Sequence, residues 1–320
     1  ELNSTLKKDH NSHLNIFEGE LIPILKKIIT THSISAIFLS VDYTPFAKRR
    51  QDEIADLCSE LNIEFSLVHN HLLFPPEQTL KQNGKPYTIF TPFFKNASTF
   101  VVKQPVSLPL DLSFASFKEY DVLDTVANKF LTQKNPQLAQ HGGRSNALST
   151  LKNASDFKNY TFERDIPSLD ATTHLSAHLK FGTVSVREVY YTLKNSLGDS
   201  HPLLRQLLWR DFFSSIAYHF EVFGKPFQSI NEDILWDYNE ERFEAWCQGK
   251  TGFPIVDAGM RELTTTGFMH GRVRMIVSSF LTKDLHLDWR WGEKFFAQHL
   301  VDYDPCVNNG SWQWAASTGC

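Results

Sequence analysis

The chain has 320 residues, of which 42% are hydrophobic and 21% charged, and 32 basic against 36 acidic side chains give a formal net charge of −4. This composition is typical of folded globular domains and excludes the disordered, collagen-like and coiled-coil classes. The charge argues against broad nucleic-acid affinity and leaves room for a local basic patch. At about 100 to 200 residues per domain, the length predicts two domains.

The first hundred residues alternate between helical and strand-like patterns. They predict helices over residues 14–30 and 47–61 and strands over residues 34–41 and 63–68. Short apolar strands between amphipathic helices indicate a parallel sheet covered on both faces. We therefore predict a doubly wound α/β domain over residues 1–95.

Residues 96–141 have the composition of an interdomain connector. They contain Pro105, Pro109 and Pro136 together with many Ser, Asn and Gln residues. Strand patterns are lost after this segment, and we predict an all-helical domain over residues 142–320.

Three features support the helical prediction for the second domain. Ser185 and Glu188 have the spacing of a capping box, residues 203–220 are apolar around most of a helix, and Pro254 and Gly267 bracket another helix. All seven tryptophans also lie beyond residue 200. The two predicted domains therefore differ in their functions.

The ends and the cysteines bear on where the protein acts. The four cysteines (Cys58, Cys247, Cys306 and Cys320) are far apart and form no CxxC pair, which disfavours a zinc site and a disulfide scaffold. We expect an intracellular, reducing compartment. No run of about 20 apolar residues suggests a membrane span. The start at Glu1 without methionine and the abrupt end favour an internal fragment.

Residues 246–263, 267–275 and 301–319 closely resemble the flavin-binding domain of the photolyase/cryptochrome family. The resemblance runs from about Tyr160 to Cys320. Residues 85–92 resemble the α/β antenna domain of the same family more weakly, and that family carries a first strand and a basic segment that this chain lacks. The resemblance implies an FAD held among helices and light-driven electron transfer to a pyrimidine dimer in DNA.

Small hydroxyl side chains mark a candidate phosphate site. Thr172, Thr173 and Ser176 fall at the start of a predicted helix, where free N–H groups favour an anion, although in an arbitrary protein such a threonine is more often only an N-cap. The resemblance places Thr172, Thr173, Leu175 and Ser176 in the phosphate-contacting motif, with Tyr160 and Arg164 upstream.

Asp302 and Asp304 flank a tyrosine, and either could pair with Arg274 or accept from a flavin N–H or a ribose hydroxyl. The resemblance implies that Asp302 pairs with Arg274 beside the flavin ring. It further implies that the Asn308 amide points at the ring nitrogen that is protonated on reduction. Arg210 completes the predicted flavin-binding set.

Tryptophans supply the other chemical signal. By resemblance, Trp312, Trp289 and Trp236 form the relay that carries an electron from the surface to the flavin, and with Asn308 they are the predicted catalytic residues. Trp246 and Trp291 are interpreted as core residues. Only the order of the indole rings in space can distinguish an electron relay from tryptophans that fill a core.

Gln206, Trp209, Arg210 and Phe213 recur on one face of an otherwise apolar helix, which suggests a cavity wall. The resemblance implies that Trp209 and Trp314 sandwich the flipped dimer, that Met275 lies against it and that Arg272 reaches a DNA phosphate. Photolyases are a standard example of enzymes that flip their target base out of the DNA duplex.

Two positions depart from the family pattern. Many cyclobutane-dimer photolyases have Glu at the position of Gln206, whereas (6-4) photolyases and animal cryptochromes have Gln. The (6-4) enzymes, however, place two catalytic histidines at the positions of Gly271 and Met275, and repair of that lesion needs an acid there. Gly271 also stands where family members usually have Asn.

We therefore predict a cyclobutane pyrimidine dimer photolyase, with a cryptochrome-type photoreceptor and a (6-4) photolyase as alternatives. The predicted cofactor is FAD, with a second antenna chromophore, folate or deazaflavin, left open. The predicted partner is DNA that contains pyrimidine dimers. We expect a monomer without a metal ion or a membrane anchor.

Overall fold

The structure, a computed structural model, describes residues 1–107, 109, 112–130, 135–228 and 233–319. The description leaves out residues 108, 110–111 and 131–134 of the predicted connector. It also leaves out residues 229–232 and Cys320 of the predicted helical domain.

The N-terminal part is an α/β unit. Its elements are α1 (Leu2–His10), α2 (Leu21–His32), β1 (Ala36–Ser40), α3 (Pro45–Glu60), β2 (Glu64–Val68) and α4 (Phe90–Ala97). The two strands pair in parallel with Ala36 opposite Glu64, and α3 makes the crossover between them. This arrangement is the βα repetition that the sequence predicts.

The prediction of one helix over residues 14–30 is wrong in its extent. Helix α2 begins only at Leu21, and a separate helix, α1, precedes it. Between them, Asn11 has a φ of 46° and Gly19 a φ of 136°, and neither value is compatible with a continuous helix. The apolar residues between Asn11 and Gly19 therefore belong to a loop.

The sheet is less covered than expected within the described residues. Phe38 on β1 is 67% exposed, and Leu67 and Val68 on β2 are also exposed.

The predicted connector contains helix α5 (Leu123–Phe130). Its Pro-rich composition therefore does not exclude a short helix.

The second half is helical, as predicted. Its helices are α6 (Arg144–Lys152), the single turn α7 (Tyr160–Glu163), α8 (Ser176–Lys180), α9 (Val186–Leu197), α10 (Pro202–His219), α11 (Glu240–Cys247), α12 (Pro254–Thr266), α13 (Gly271–Ser279), α14 (Trp289–His299) and α15 (Pro305–Ala315). Helix α12 ends where Gly267 takes a φ of 69°, which confirms the stop signal.

The capping box predicted at the start of α9 forms only in part. The Ser185 hydroxyl accepts from Arg187 N at 3.2 Å, whereas the Glu188 carboxylate binds the Arg144 guanidinium at 2.8 and 3.0 Å. Glu188 is therefore engaged by α6 instead of by the backbone of Ser185.

Two hydrophobic cores organise the described part of the chain. The first joins both halves, because Tyr43, residues 72–74 and Phe90 pack with residues of α9 and α10. The second lies within the helical part and is built around Trp246, Trp289 and Trp312. None of the described helices is both long and apolar enough to cross a membrane.

Candidate functional site

A cavity of about 1550 Å³ lies where α4, α8, α9, α10, α13 and α15 meet. It lies beside the first hydrophobic core, so both halves of the chain contribute to its walls. Helix packing around it is close, because a Cβ on Gly310 of α15 would clash with the Phe213 ring of α10.

Every residue predicted to contact flavin or dimer lines this cavity. The predicted flavin set is Tyr160, Arg164, Thr172, Thr173, Leu175, Ser176, Arg210, Arg274, Asp302, Asp304 and Asn308. The predicted dimer set is Gln206, Trp209, Arg272, Met275 and Trp314, and Trp312 lines the wall between helices. Residues up to 154 positions apart in sequence therefore line one cavity, since the set runs from Tyr160 to Trp314.

One part of the wall is suited to a phosphate group. The Arg164 Nε and Thr172 Oγ1 atoms are buried and lack hydrogen-bond partners among the described residues. The nearest carboxylate oxygen to Arg164 Nε, that of Asp165, is 3.6 Å away. Buried donors of this kind are normally satisfied, so the Arg164 Nε–H and the Thr172 hydroxyl, which have no hydrogen-bond acceptor among the described residues, fit the diphosphate of FAD.

The predicted helical position of the two threonines is wrong. Helix α8 begins at Ser176, and Thr172 and Thr173 lie in the loop before it. His174 has a φ of 51°, which interrupts the helical conformation there. The N-cap residue is Leu175, which has no side-chain cap, so neither threonine serves as the N-cap.

Arg274 of α13 and Asp302, in the loop between α14 and α15, form an ion pair in the cavity lining. Arg274 Nη2 donates to Asp302 Oδ2 at 2.9 Å and to Oδ1 at 3.2 Å, and Arg274 Nε donates to the Met269 carbonyl at 2.7 Å. The Asp302 side chain is almost fully buried. The pair therefore fixes a cation at the cavity wall.

Asp304 is held by the protein itself. Its Oδ1 accepts from Cys306 N at 3.0 Å and Val307 N at 3.1 Å, which caps α15, and its Oδ2 lies 3.2 Å from Lys180 Nζ. Burial alone would raise the pKa of Asp304, but the His71 hydrogen bond and the Lys180 charge outweigh it and hold the pKa well below its usual range. Asp304 is therefore a charged anchor for α15.

The amide of Asn308 has a partner that the sequence did not indicate. Asn308 Nδ2 donates to Glu293 Oε1 at 3.0 Å, and the Tyr303 hydroxyl donates to the same oxygen at 3.2 Å. Burial beside Glu293 raises the pKa of Tyr303. Glu293 therefore orients Asn308 on the cavity wall.

A loop of the N-terminal unit is fastened to the helical part. Arg210 Nη1 donates to the His71 carbonyl at 2.5 Å, and Asp211 Oδ2 accepts from Leu73 N and Phe74 N at 3.0 and 3.2 Å. His71 in turn places its Nε2 3.4 Å from Asp304 Oδ2. Arg210 is therefore engaged by this loop while also lining the cavity.

The three tryptophans of the predicted relay lie in the second core. Trp312 and Trp289 are buried, and the half-buried Trp236 packs against the same cluster. Trp312 also contacts Trp246 edge-on, with ring centroids 6.2 Å apart, and a Cβ on Gly292 would clash with the Trp312 ring. Trp246 is fully buried, as predicted for a core residue.

The dimer set surrounds the more open part of the cavity. Trp314 is 49% exposed and Met275 is 39% exposed, whereas Trp209 is half-buried. Arg272 Nε donates to Asp165 Oδ1 at 2.6 Å, so this cation is paired with a carboxylate. Asp165 was not among the predicted residues.

Gly271, the position of the unusual glycine, begins α13 and is exposed. A Cβ built there would meet nothing within 4 Å. The glycine therefore leaves space where a larger polar side chain would fit.

Within the described part of the chain, no three His, Cys, Asp or Glu side chains gather as metal ligands.

Comparison with known proteins supports a flavin-binding role for the helical part of the chain. A profile described as the FAD binding domain of DNA photolyase matches residues 203–320, and one described as DNA photolyase matches residues 1–109. A Synechococcus protein named deoxyribodipyrimidine photo-lyase is 34% identical, over 96% of this chain and 68% of its own length. The chain belongs to the DNA photolyase family.

Solved structures agree with this assignment of the photolyase fold. An archaeal photolyase from Sulfolobus tokodaii, solved with two FAD molecules, is 41% identical with a TM-score of 0.88, over 99% of this chain and 69% of its own. A Synechocystis cryptochrome is 26% identical with a TM-score of 0.83, over 99% of this chain and 69% of its own. The photolyase is thus the more similar of the two.

Proposed function

We propose that the full protein repairs cyclobutane pyrimidine dimers in DNA with light. The observation that carries the proposal is that one cavity of about 1550 Å³ holds both the predicted flavin residues and the predicted dimer residues. Light-driven electron transfer to a lesion requires cofactor and lesion to be close, and a shared cavity meets that requirement. The photolyase name of the curated relatives supports the same reaction.

The cofactor is FAD, which when bound supplies an electron donor that light can excite. Arg164 and Thr172 bind its diphosphate with the buried donor atoms that lack protein partners. The Arg274–Asp302 pair would hold the flavin ring, and the Asn308 amide, which is fixed by Glu293, would offer it a hydrogen-bonding group. The second FAD of the Sulfolobus relative supports an antenna chromophore in the full protein.

The substrate is the flipped dimer of a DNA strand. Trp209 and Trp314 stack on it, Gln206 hydrogen-bonds to it and Met275 packs against it, while Arg272 exchanges Asp165 for a DNA phosphate. Trp312, Trp289 and Trp236 serve as the relay that reduces the flavin beforehand. We expect the protein to act as a monomer.

The test is a repair assay on the full-length, FAD-loaded protein, reduced in the dark. Oligonucleotides with a thymine dimer, a (6-4) lesion or no lesion are each given blue light or kept dark. We expect only the thymine dimer to be split, and only in light. Repair of the (6-4) lesion alone would favour that photolyase class, and dimer binding without repair would favour a cryptochrome.

A further inference from the structure

The indole of Trp209 is stacked on an aromatic ring from the other half of the chain. Phe90, the first residue of α4, lies with its ring centroid 3.5 Å from that of Trp209 and with the ring planes only 7° apart. Phe90 is buried, at 5% exposure. The two residues are 119 positions apart, so this contact joins the N-terminal unit to α10.

Two rings lie nearly parallel to the indole: Phe90 and, one turn later on α10, Phe213, whose centroid is 5.7 Å away with the planes 28° apart. Trp209 lines the cavity, whereas Phe90 is outside the cavity lining defined by the described residues. Phe90 therefore covers indole surface that is turned away from the cavity. Phe213 lines the cavity together with Trp209, and the indole surface that lines the cavity is available to a ligand.

The Phe90 ring is also held by a cation that lies on the same helix as Trp209. Arg205 lies one turn before Trp209 on α10, and its guanidinium carbon is 5.1 Å from the centroid of Phe90 and 5.0 Å from that of Phe94. Cation–π contacts of this kind restrict the position of a ring. Phe212 of α10 also meets the Phe90 ring edge-on, with centroids 5.7 Å apart, so Phe90 is held by three side chains of α10.

We infer that Phe90 is a positioning residue for lesion binding: it holds the plane of the Trp209 indole parallel to the base that stacks on it. This inference rests on the proposed function, because the ligand of Trp209 is taken to be the flipped dimer. A stacked base gains most when the platform is already in place, since no side-chain freedom is then lost on binding. The N-terminal unit thereby takes part in recognising the lesion.

The test compares two phenylalanines of the same helix in the full-length, FAD-loaded protein. Phe90→Leu removes the flat ring from Trp209 but keeps an apolar side chain. Phe93→Leu is the matched control, because Phe93 is also buried, at 1% exposure, and packs on Phe212 as Phe90 does, but its ring is not stacked on Trp209. Affinity for a thymine-dimer oligonucleotide, flavin content and melting temperature are measured for each variant, together with KM and kcat for repair.

We expect Phe90→Leu to weaken dimer binding by about 2- to 10-fold, the range of one aromatic pair. KM should rise more than kcat falls, and flavin content should match the wild type. Phe93→Leu should lower the melting temperature without changing dimer affinity. Phe90→Tyr, which keeps a flat ring, should restore the affinity, and Phe90→Leu should cost nothing further in a Trp209→Ala background.

Four results would overturn the inference while leaving the proposed function intact. These are unchanged affinity in Phe90→Leu, equal losses in Phe90→Leu and Phe93→Leu, no rescue by Phe90→Tyr, and additive losses in the double variant with Trp209→Ala. A wild-type protein that neither binds nor repairs thymine dimers would instead overturn the proposed function, and the role of Phe90 with it.

Discussion

Arg274 and Asp302 are 28 residues apart in sequence, yet the guanidinium donates to both carboxylate oxygens at 2.9 and 3.2 Å. Asp302 is buried, whereas Arg274 is about a quarter exposed at the cavity wall. The buried Asp302 thus fixes the Arg274 guanidinium, which lines the cavity. Removing Asp302 would leave a partly buried cation without its counter-charge.

We therefore expect Asp302→Ala to weaken FAD binding. Breaking a buried pair by removing one partner costs about 3 to 5 kcal/mol, and the exposure of Arg274 favours the lower end. That cost falls on the folded protein with and without FAD, so the loss of affinity comes from ordering the freed Arg274 side chain, and we expect the dissociation constant for FAD to rise by about 2- to 10-fold. Flavin content after purification and titration of the apoprotein measure the effect.

Glu188→Ala is the control for that change, because it also removes a carboxylate bonded twice to an arginine, Arg144, but on an exposed surface outside the cavity. It should leave flavin content unchanged. Equal flavin content in Asp302→Ala and the wild type would contradict the role assigned to the pair.

DNA binding should depend on salt despite the net charge of −4. Arg272 displaces condensed counterions when it reaches a phosphate, so Arg272→Gln should lower the slope of log affinity against log salt by about 1. Arg144→Gln, which changes an arginine that is paired with Glu188, should leave the slope as it is. An unchanged slope in Arg272→Gln would remove Arg272 from phosphate contact.

The tryptophan relay and the repair step should separate by mutation. Trp312→Phe should abolish light-driven reduction of oxidised FAD, because phenylalanine is much harder to oxidise than indole. Repair by protein already reduced with dithionite should survive. Trp291→Phe is the control, because Trp291 packs on Phe243 and Tyr238 and is a predicted core residue. Normal photoreduction in Trp312→Phe would exclude it from the relay.

The pH dependence of stability should involve Asp211. Burial raises the pKa of Asp211 to about 7, despite the opposing charge of Arg210. The native carboxyl therefore keeps its proton between about pH 4 and pH 7 while the unfolded chain loses it. Its contribution to the free energy of unfolding is complete below that window and is lost as the pH rises through it.

Asp211→Asn removes this titration but keeps an oxygen that can accept from Leu73 N and Phe74 N. Between about pH 5 and pH 7.5, the free energy of unfolding should fall less in the variant than in the wild type, by on the order of 2 kcal/mol. Asp257→Asn is the control, since the pKa of Asp257 lies below its usual value: burial raises it, but hydrogen bonds from Thr251 and Gly252 outweigh that effect. Equal pH slopes in wild type and Asp211→Asn would contradict the shifted pKa.

Local patterns predicted the elements whose signals lie within a few residues. Strands β1 and β2, helices α3, α10 and α12, and the left-handed stop at Gly267 all follow from periodicity or capping residues. Residues 14–20 resembled a helix in hydrophobicity only, because the φ of Gly19 cannot be read from an apolar pattern. The threonines before α8 were misplaced for the same reason, through the φ of His174.

Contacts between distant residues had no local signal. Phe90 on Trp209, Asp211 on the backbone of Leu73 and Glu293 on Asn308 depend on how the two halves dock and how α14 meets α15. Each partner alone reads as an ordinary apolar, capping or surface residue. The resemblance to a family located the cavity residues, whereas the side chains that hold them in position became visible only in three dimensions.

The most direct measurement of the central claim, that one cavity brings flavin and dimer together, is the fluorescence of the reduced flavin in the full-length protein. A thymine-dimer oligonucleotide added to the reduced protein should quench this fluorescence, because electron transfer to a nearby dimer competes with emission. Undamaged DNA of the same sequence should leave it unchanged, and Trp314→Ala should require about 5- to 100-fold more dimer for the same quenching, the range of one base–aromatic stack. Tight binding of the dimer oligonucleotide with unchanged flavin fluorescence would contradict the claim.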